Sequence, residues 1–434
     1  MEKESYKIVI IDPSSPEMNR GSFCYMPYLY YSALNYKEDV DLFEDFTIPE
    51  IDDLPPAEEY HVALWSYPQI DACLVLNKFL PGKKKFFGYT PLIKALKLPL
   101  LELSGNIISK GMANYPQAYG HFRHLLLSDC DMHLTKYKDK VYPLFTSYGC
   151  PRGCAFCPST VNQKVRIHLH LDEVKSMLRQ CYSLGVKAIH FTDEDFFYDI
   201  DRAHEIIEYA TKFGFKLIAL GEVRTVTKYI QKYNTTSLHA GGMKLIEIGM
   251  ETADEELGKK MGKAPIVKCQ ELADMCDIPI FWLALTFFPG ETLKTLNTTG
   301  QFLKRYGFNP DELYGRIRTN GTEGGLGQFF QPYHGTKQFK ELKGKGKFIS
   351  SRPIRLIPSY LPDSFLSNLV QRKRRFKPSD DKWFKLYGLN INQFEYLRED
   401  KNVLGNINTL RRRYSMTTAD AAIGIALCAR LQII

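Results

Sequence analysis

"SYGCPRGCAFC", residues 147–157, sets Cys150, Cys154 and Cys157 within eleven residues. Three thiols this close suggest a metal, a disulfide or small apolar filling, and the rest of the chain narrows the choice. No apolar run approaches the ~18 residues of a membrane span. The opening "MEKESYKIVIIDPSSP" lacks the apolar core of a signal peptide, so a cytoplasmic, reducing setting is expected. Thiols stay reduced there and are available to metals. Three cannot pair without leaving one over. Zinc wants four ligands, and no neighbouring Cys or His pair has the spacing to complete the set. His168 and His170, in "HLH", read as a solvated strand end.

"VYPLFTSYG" (141–149) reads as a strand, which puts the cysteines on the loop directly after it. The segment 171–185 carries Val174, Met177, Leu178 and Cys181 at helical spacing, one apolar face of a helix. Strands are expected over 187–197, 215–224, 243–252 and 278–292, with a last one near 327–336. Helices are expected over 201–214, 227–234, 265–275 and 292–306. Six βα steps make residues 139–345 a partial (βα)6 TIM-like barrel, whose working residues sit at the C-terminal ends of its strands. Upstream, "YKIVIID" (6–12), "YHVALWSYP" (60–68) and "KKKFFGYTP" (83–91) read as strands and "DDLPPAEEY" (52–60) as a loop. Residues 1–138 are therefore expected to form an open α/β, Rossmann-like domain. Residues 346–434 form a small, mostly helical C-terminal region with the basic runs "QRKRRFK" (371–377) and "RRRY" (411–414). The fold class is α/β. An apolar fraction of 44% and a charged fraction of 24% argue against long disorder, and a net charge of +8 leans toward acidic partners without requiring one.

Three closely spaced thiolates after a barrel strand suit a [4Fe–4S] cluster with one iron left without a protein ligand. Gly149 and Gly153 let the backbone wrap round an inorganic cube. The C-x3-C-x2-C spacing closely resembles that of the radical S-adenosylmethionine (radical SAM) superfamily. Later strand ends extend the resemblance: "FTDEDFF" (191–197), "GEVR" (221–224), "IGMET" (248–252), "FFPGET" (287–292) and "PYHGT" (332–336), the last with His334 where Pro is usual. The resemblance implies that Cys150, Cys154 and Cys157 are catalytic and hold the cluster, and that SAM binds its open iron. Reductive cleavage of SAM to a 5′-deoxyadenosyl radical would follow. It implies cofactor-binding roles for Glu194, Arg224 and Glu251, and for Phe156 near the adenine.

The N-terminal domain resembles the cobalamin-binding domain of one radical SAM branch. The histidine of that branch's D-x-H-x-x-G motif is missing from "DPSSPEMNRG" (12–21), and Trp65 and Tyr67 are bulky where a corrin needs an open face. An enzyme without cobalamin is therefore expected. No second cysteine cluster is present, and the remaining thiols read as buried small apolar residues. With a single cluster, the chain most resembles maturases of ribosomally made peptides. The resemblance implies a precursor peptide as substrate, epimerised or shortened by excision of a backbone fragment. It also implies a small accessory leader-binding protein, an external electron donor and no membrane partner. The basic runs read as solvated faces rather than nucleic-acid contacts. Three alternatives stay open: a cobalamin-dependent radical SAM methyltransferase, an RNA-modifying radical SAM enzyme and a non-catalytic iron–sulfur protein.

Overall fold

A computed structural model describes residues 6–13, 26–34, 40–46, 54–64, 69–114, 141–162, 164–285, 288–290, 293–306 and 333–344. The apolar run Ile8–Ile11 forms β1 (Tyr6–Pro13), an inner strand of a four-stranded parallel sheet. With β2 (Val40–Phe46), β3 (Ala57–Leu64) and β4 (Lys83–Gly88) the order is β2–β1–β3–β4. A parallel bridge from Phe86 to Leu100 begins a fifth position. The order reverses between β1 and β3, and doubly wound sheets take ligands in the crevice beyond such a reversal. On one face, Val9, Tyr60, Val62 and Phe86 pack with Cys73 and Leu76 of α2 (Ile70–Phe79) and Leu92 of α3 (Thr90–Ala95). On the other, Ile10, Ala63 and Phe87 meet Tyr30 of α1 (Met26–Ala33) and Ile108 and Met112 of α4 (Gly105–Asn114). This second core runs on without a break into the next sheet.

That sheet has five parallel strands, in the order β11–β10–β9–β8–β5. They are β5 (Val141–Leu144), β8 (Ala188–Phe191), β9 (Lys216–Gly221), β10 (Met243–Glu251) and β11 (Ile280–Ala284). A two-stranded antiparallel pair, β6 (Ser147–Tyr148) and β7 (Ile167–His168), sits beside them. The short α5 (Ser159–Asn162) follows the cysteines. Helices α6 (Leu171–Ser183), α7 (Ile200–Thr211), α8 (Val223–Ala240), α9 (Glu255–Met261), α10 (Ile266–Met275) and α11 (Leu293–Arg305) alternate with the strands. The arrangement is part of a parallel barrel. The four residues read as the core face of α6 are all buried.

Several boundaries differ from the sequence reading. β2 was not anticipated, because "VDLFEDF" interleaves acids with apolar residues on an edge strand. The strand expected over 141–149 breaks after Leu144, where Thr146 turns to bind Asp193. The strand expected over 187–197 stops at Phe191, so the acidic residues 193–195 leave the sheet. β9 ends at Gly221, which puts Arg224 in the first turn of α8. Of the last strand expected near 327–336, residues 333–336 form a turn into α12 (Lys337–Gly344), and 327–332 lie outside the described residues. Trp65, Tyr67, most of "DPSSPEMNRG", both domain boundaries and the C-terminal region with its basic runs also lie outside them. Among the described residues no helix is long and apolar enough to cross a membrane.

Candidate active site

The cysteine loop is held from three directions. Gly149 and Gly153 have φ of +96° and +76°, a left-handed backbone that glycine adopts without cost. Ala155, inside the loop, donates its N–H to the Met261 carbonyl at 3.1 Å and accepts from the Gln338 N–H at 3.0 Å. The C-cap of α9 thus grips one edge of the loop and the start of α12 the other. The Thr160 hydroxyl donates to the Cys157 carbonyl at 2.8 Å. Cys150 is buried, and Cys154 and Cys157 are partly so. Burial raises the Cys150 pKa and pushes the Cys157 thiol to about 11, and each also feels Cys154. Such thiols ionise when a metal takes the place of the proton.

Among the described residues no three His, Cys, Asp or Glu side chains crowd round one point tightly enough for a single ion. Three free thiols on one loop are the soft donor set that an iron–sulfur cluster takes, so the residues present fit a cluster.

The acidic stretch after β8 braces this loop. Asp193 is fully buried and accepts from the N–H and hydroxyl of Thr146 at 3.1 and 2.9 Å, and from the Ser147 hydroxyl. Glu194 accepts from the Gly149 N–H at 3.1 Å, and burial raises its pKa to about 7. Asp195 accepts from Arg152 Nε and Nη2 at 3.0 and 2.6 Å and from the Thr225 hydroxyl at 3.0 Å. Arg152 Nη1 reaches Glu222 at 3.1 Å. A single guanidinium inside the cysteine motif therefore ties the loop to the ends of both β8 and β9.

The residues expected to bind the cofactor divide into two groups. Glu194 lies against the cysteine loop. Arg224 is half exposed, and its Nε is taken by Glu222 at 3.0 Å. Glu251 has φ +68°, an uncommon conformation for a residue with a side chain, and pairs with Lys263 at 3.0 Å. Lys263 Nζ stands 5.6 Å from the centre of the Phe156 ring, and that ring meets Phe288 edge-on at 6.4 Å. Burial alone would lower the Lys263 pKa, yet Glu251 and the thiols of Cys154 and Cys157 carry it above its ordinary value. Arg152, Asp195, Glu222 and Lys263 escaped the sequence reading. Arg152 carried a signal in its place inside the cysteine motif, and Asp195 and Glu222 in the quoted strand ends "FTDEDFF" and "GEVR"; Lys263 carried none. Together these groups offer both signs of charge, which suits SAM, a sulfonium that also carries an amine and a carboxylate.

A cavity of about 300 Å³ separates the C-terminal edge of the first sheet from the cysteine loop. Gly88, Thr90, Leu101 and Leu103 line one side, and Tyr148, Val161 and Asn162 the other. Asn162 spans the gap, accepting from the Thr90 N–H at 3.2 Å and donating to the Tyr148 hydroxyl at 3.3 Å.

Comparison with known proteins matches residues 144–303 to the radical SAM superfamily. An uncharacterized methyltransferase of Pyrococcus horikoshii is 26% identical over 183 residues, 40% of this chain and 39% of that protein. The bacteriochlorophyllide d C-12(1)-methyltransferase of Chlorobaculum tepidum is 25% identical over 227 residues, 49% of this chain and 45% of that protein. Each match thus covers less than half of the relative's length. Two solved structures share the fold at 13% identity. The cobalamin-dependent SAM radical enzyme OxsB, with aqua-cobalamin bound, has a TM-score of 0.55 over 99% of this chain and 80% of its own. The radical SAM methyltransferase TsrM of Kitasatospora setae, with cobalamin and a [4Fe–4S] cluster bound, has a TM-score of 0.53 over 83% and 85%. The expectation of an enzyme without cobalamin draws no support from these relatives.

Proposed function

From a chain whose residues 144–303 form a radical SAM domain, and which is therefore a radical SAM enzyme, we propose a cobalamin-dependent methyltransferase acting on a carbon atom. The observation that carries this reading is the cavity between the first sheet and the cysteine loop. It lies beyond the C-terminal end of β4, one strand over from the reversal between β1 and β3 where doubly wound sheets take ligands. Gly88, with φ +123°, keeps the end of β4 free of a side chain there, and Thr90, Tyr148 and Asn162 bring polar groups. At about 300 Å³ the cavity is too small for a whole cobalamin and would take only an edge of the corrin, which would touch both units. The names of the two curated relatives, both methyltransferases, support the same reading.

When bound, the cluster with SAM would supply one-electron chemistry and cobalamin would carry the methyl group. Cys150, Cys154 and Cys157 would hold the cluster. Arg152, Asp195 and Glu222 fix the loop that presents it. Glu194, with a pKa near 7, hydrogen-bonds the loop backbone beside Cys150 and would meet SAM's charged end. Phe156, Leu285 and Phe288 form an apolar wall that keeps water off. Peptide tailoring, the reading reached from sequence, has no observation of its own among the described residues.

The test is anaerobic reconstitution with iron and sulfide, with and without hydroxocobalamin, followed by desalting and addition of SAM and dithionite. Cobalamin is expected to stay bound, and SAM turnover is expected to yield S-adenosylhomocysteine beside 5′-deoxyadenosine. Protein that retains no cobalamin and makes 5′-deoxyadenosine equally fast without it would overturn the reading. Replacing Cys150, Cys154 and Cys157 together with Ala is expected to remove the iron and its brown absorbance. Full iron content in that triple variant would refute the cluster assignment.

A further inference from the structure

The side chains of the Glu251–Lys263 pair are nearly closed off from solvent, at 14% and 12% exposure. A buried ion pair loses hydration at both ends and is often no more stabilising than apolar residues of the same size. The local backbone is arranged round it all the same. Glu251 takes a left-handed conformation at φ +68°. A side-chain carbon at Gly249 would stand 2.9 Å from both Glu251 Oε1 and Lys263 Nζ, so the pair lies directly over a bare stretch of β10. Gly262, left-handed at φ +82°, ends α9 and turns the chain so that Lys263 follows at once. A side-chain carbon on Gly262 would be 3.7 Å from the Cys154 Cα, so this turn rests against the cysteine loop. Met261, one residue earlier, accepts from Ala155. The ammonium itself lies off the ring of Phe156, the residue between Cys154 and Cys157.

We propose that the Glu251–Lys263 pair sets the reduction potential of the cluster held by Cys150, Cys154 and Cys157, Lys263 raising it and Glu251 limiting the rise. This inference rests on the assignment of the cluster to those cysteines. The cluster takes one electron from an external reductant, and no bond or proton need move. The site then becomes one charge more negative. A fixed cation beside it favours that step, a fixed anion opposes it, and the surrounding apolar side chains let both act with little screening. Lys263 is coupled electrostatically to both Cys154 and Cys157. It is a positioning residue for charge and need not touch substrate.

The experiment is an anaerobic redox titration of the reconstituted full chain without SAM, using dithionite and following the electron paramagnetic resonance signal of the reduced cluster. Lys263→Met is expected to move the midpoint to a more negative potential, and Glu251→Gln to a more positive one. Lys263→Arg keeps the charge and is expected to stay with the parent. A purely structural role would not move the two neutralising variants in opposite directions. Identical midpoints in the parent and in both neutralising variants, or shifts of the same sign in both, overturn the proposal. If Lys263→Met fails to fold, the sign of the Glu251→Gln shift decides alone. Absence of a cluster from the reconstituted parent would instead refute the cysteine assignment, an outcome read from iron content before any titration.

Discussion

Gly249 shows how much one missing side chain can matter. A methyl group there meets both ends of the Glu251–Lys263 pair, so Gly249→Ala must push the pair aside or shift the strand. The atoms met are the tips of two flexible side chains, so the cost is expected near the low end of the about 1–3 kcal/mol typical of overpacking. The Gly249→Ala midpoint in urea is expected to fall accordingly; an unchanged midpoint would mean the pair moves at no cost. The cysteines could be read from sequence because their chemistry resides in residue type and spacing. Lys263 could not, because nothing in a sequence distinguishes a buried cation from the many on the surface. Arg224, expected at a strand end, stands in the first turn of α8 with its Nε on Glu222, two residues earlier.

At the level of elements, the break between β5 and β6 depends on Asp193. With Asp193→Ala, the Thr146 N–H and hydroxyl lose their carboxylate acceptor in a buried place. Removing one partner from such a charged, buried network costs about 3–5 kcal/mol, and denaturant unfolding is expected to show a loss of that order. The first sheet carries its own polar chain. The Tyr30 hydroxyl lies 2.9 Å from His61 Nδ1, His61 Nε2 lies 2.9 Å from Glu59, and Lys85 Nζ is 2.7 Å from the same carboxylate. Hydrogen bonds from Lys85 and then His61 lower the Glu59 pKa to about 2, and burial lowers that of His61. Both folded values lie below the unfolded ones, so in each case the unfolded chain binds the proton first. The His61 contribution is complete above about pH 6.5 and is lost as the pH falls below it. That of Glu59 is complete above about pH 4.5 and is lost toward pH 2. Melting temperature is expected to drop from pH 7 to pH 5, and His61→Leu to flatten that limb. An equally steep limb in the variant would assign the effect elsewhere. Helix α6 was legible because apolar spacing alone fixes its buried face. β2 was not, because the acids interleaved in "VDLFEDF" hide an edge strand.

Across the whole molecule, the two sheets are joined at a tight corner. The Tyr89 hydroxyl donates to the His334 carbonyl, and Tyr89 and Tyr333 meet edge-on at 5.9 Å. Gly335, left-handed at φ +82°, leaves room for Val161 and Pro91, which a side-chain carbon would approach to 2.9 and 3.3 Å. Gly335→Val is expected to loosen this corner and speed proteolysis between the sheets; cleavage at the parental rate would show that the corner carries no load. Sequence periodicity revealed the two α/β units but not their shared core, because it shows that a face is apolar without showing what covers it. The grip on Ala155 also has a bearing on synthesis. Its two backbone partners, Met261 and Gln338, lie about 100 and 180 residues further along the chain. At about 5–20 residues per second on the ribosome, the second partner emerges roughly 10–40 seconds after the cysteines. During that interval three closely spaced thiols have no finished frame, so a cluster delivered during translation would find a loose loop. Delivery after α12 has emerged finds a prepared one, and this protein should therefore acquire its iron only once residue 338 has been made.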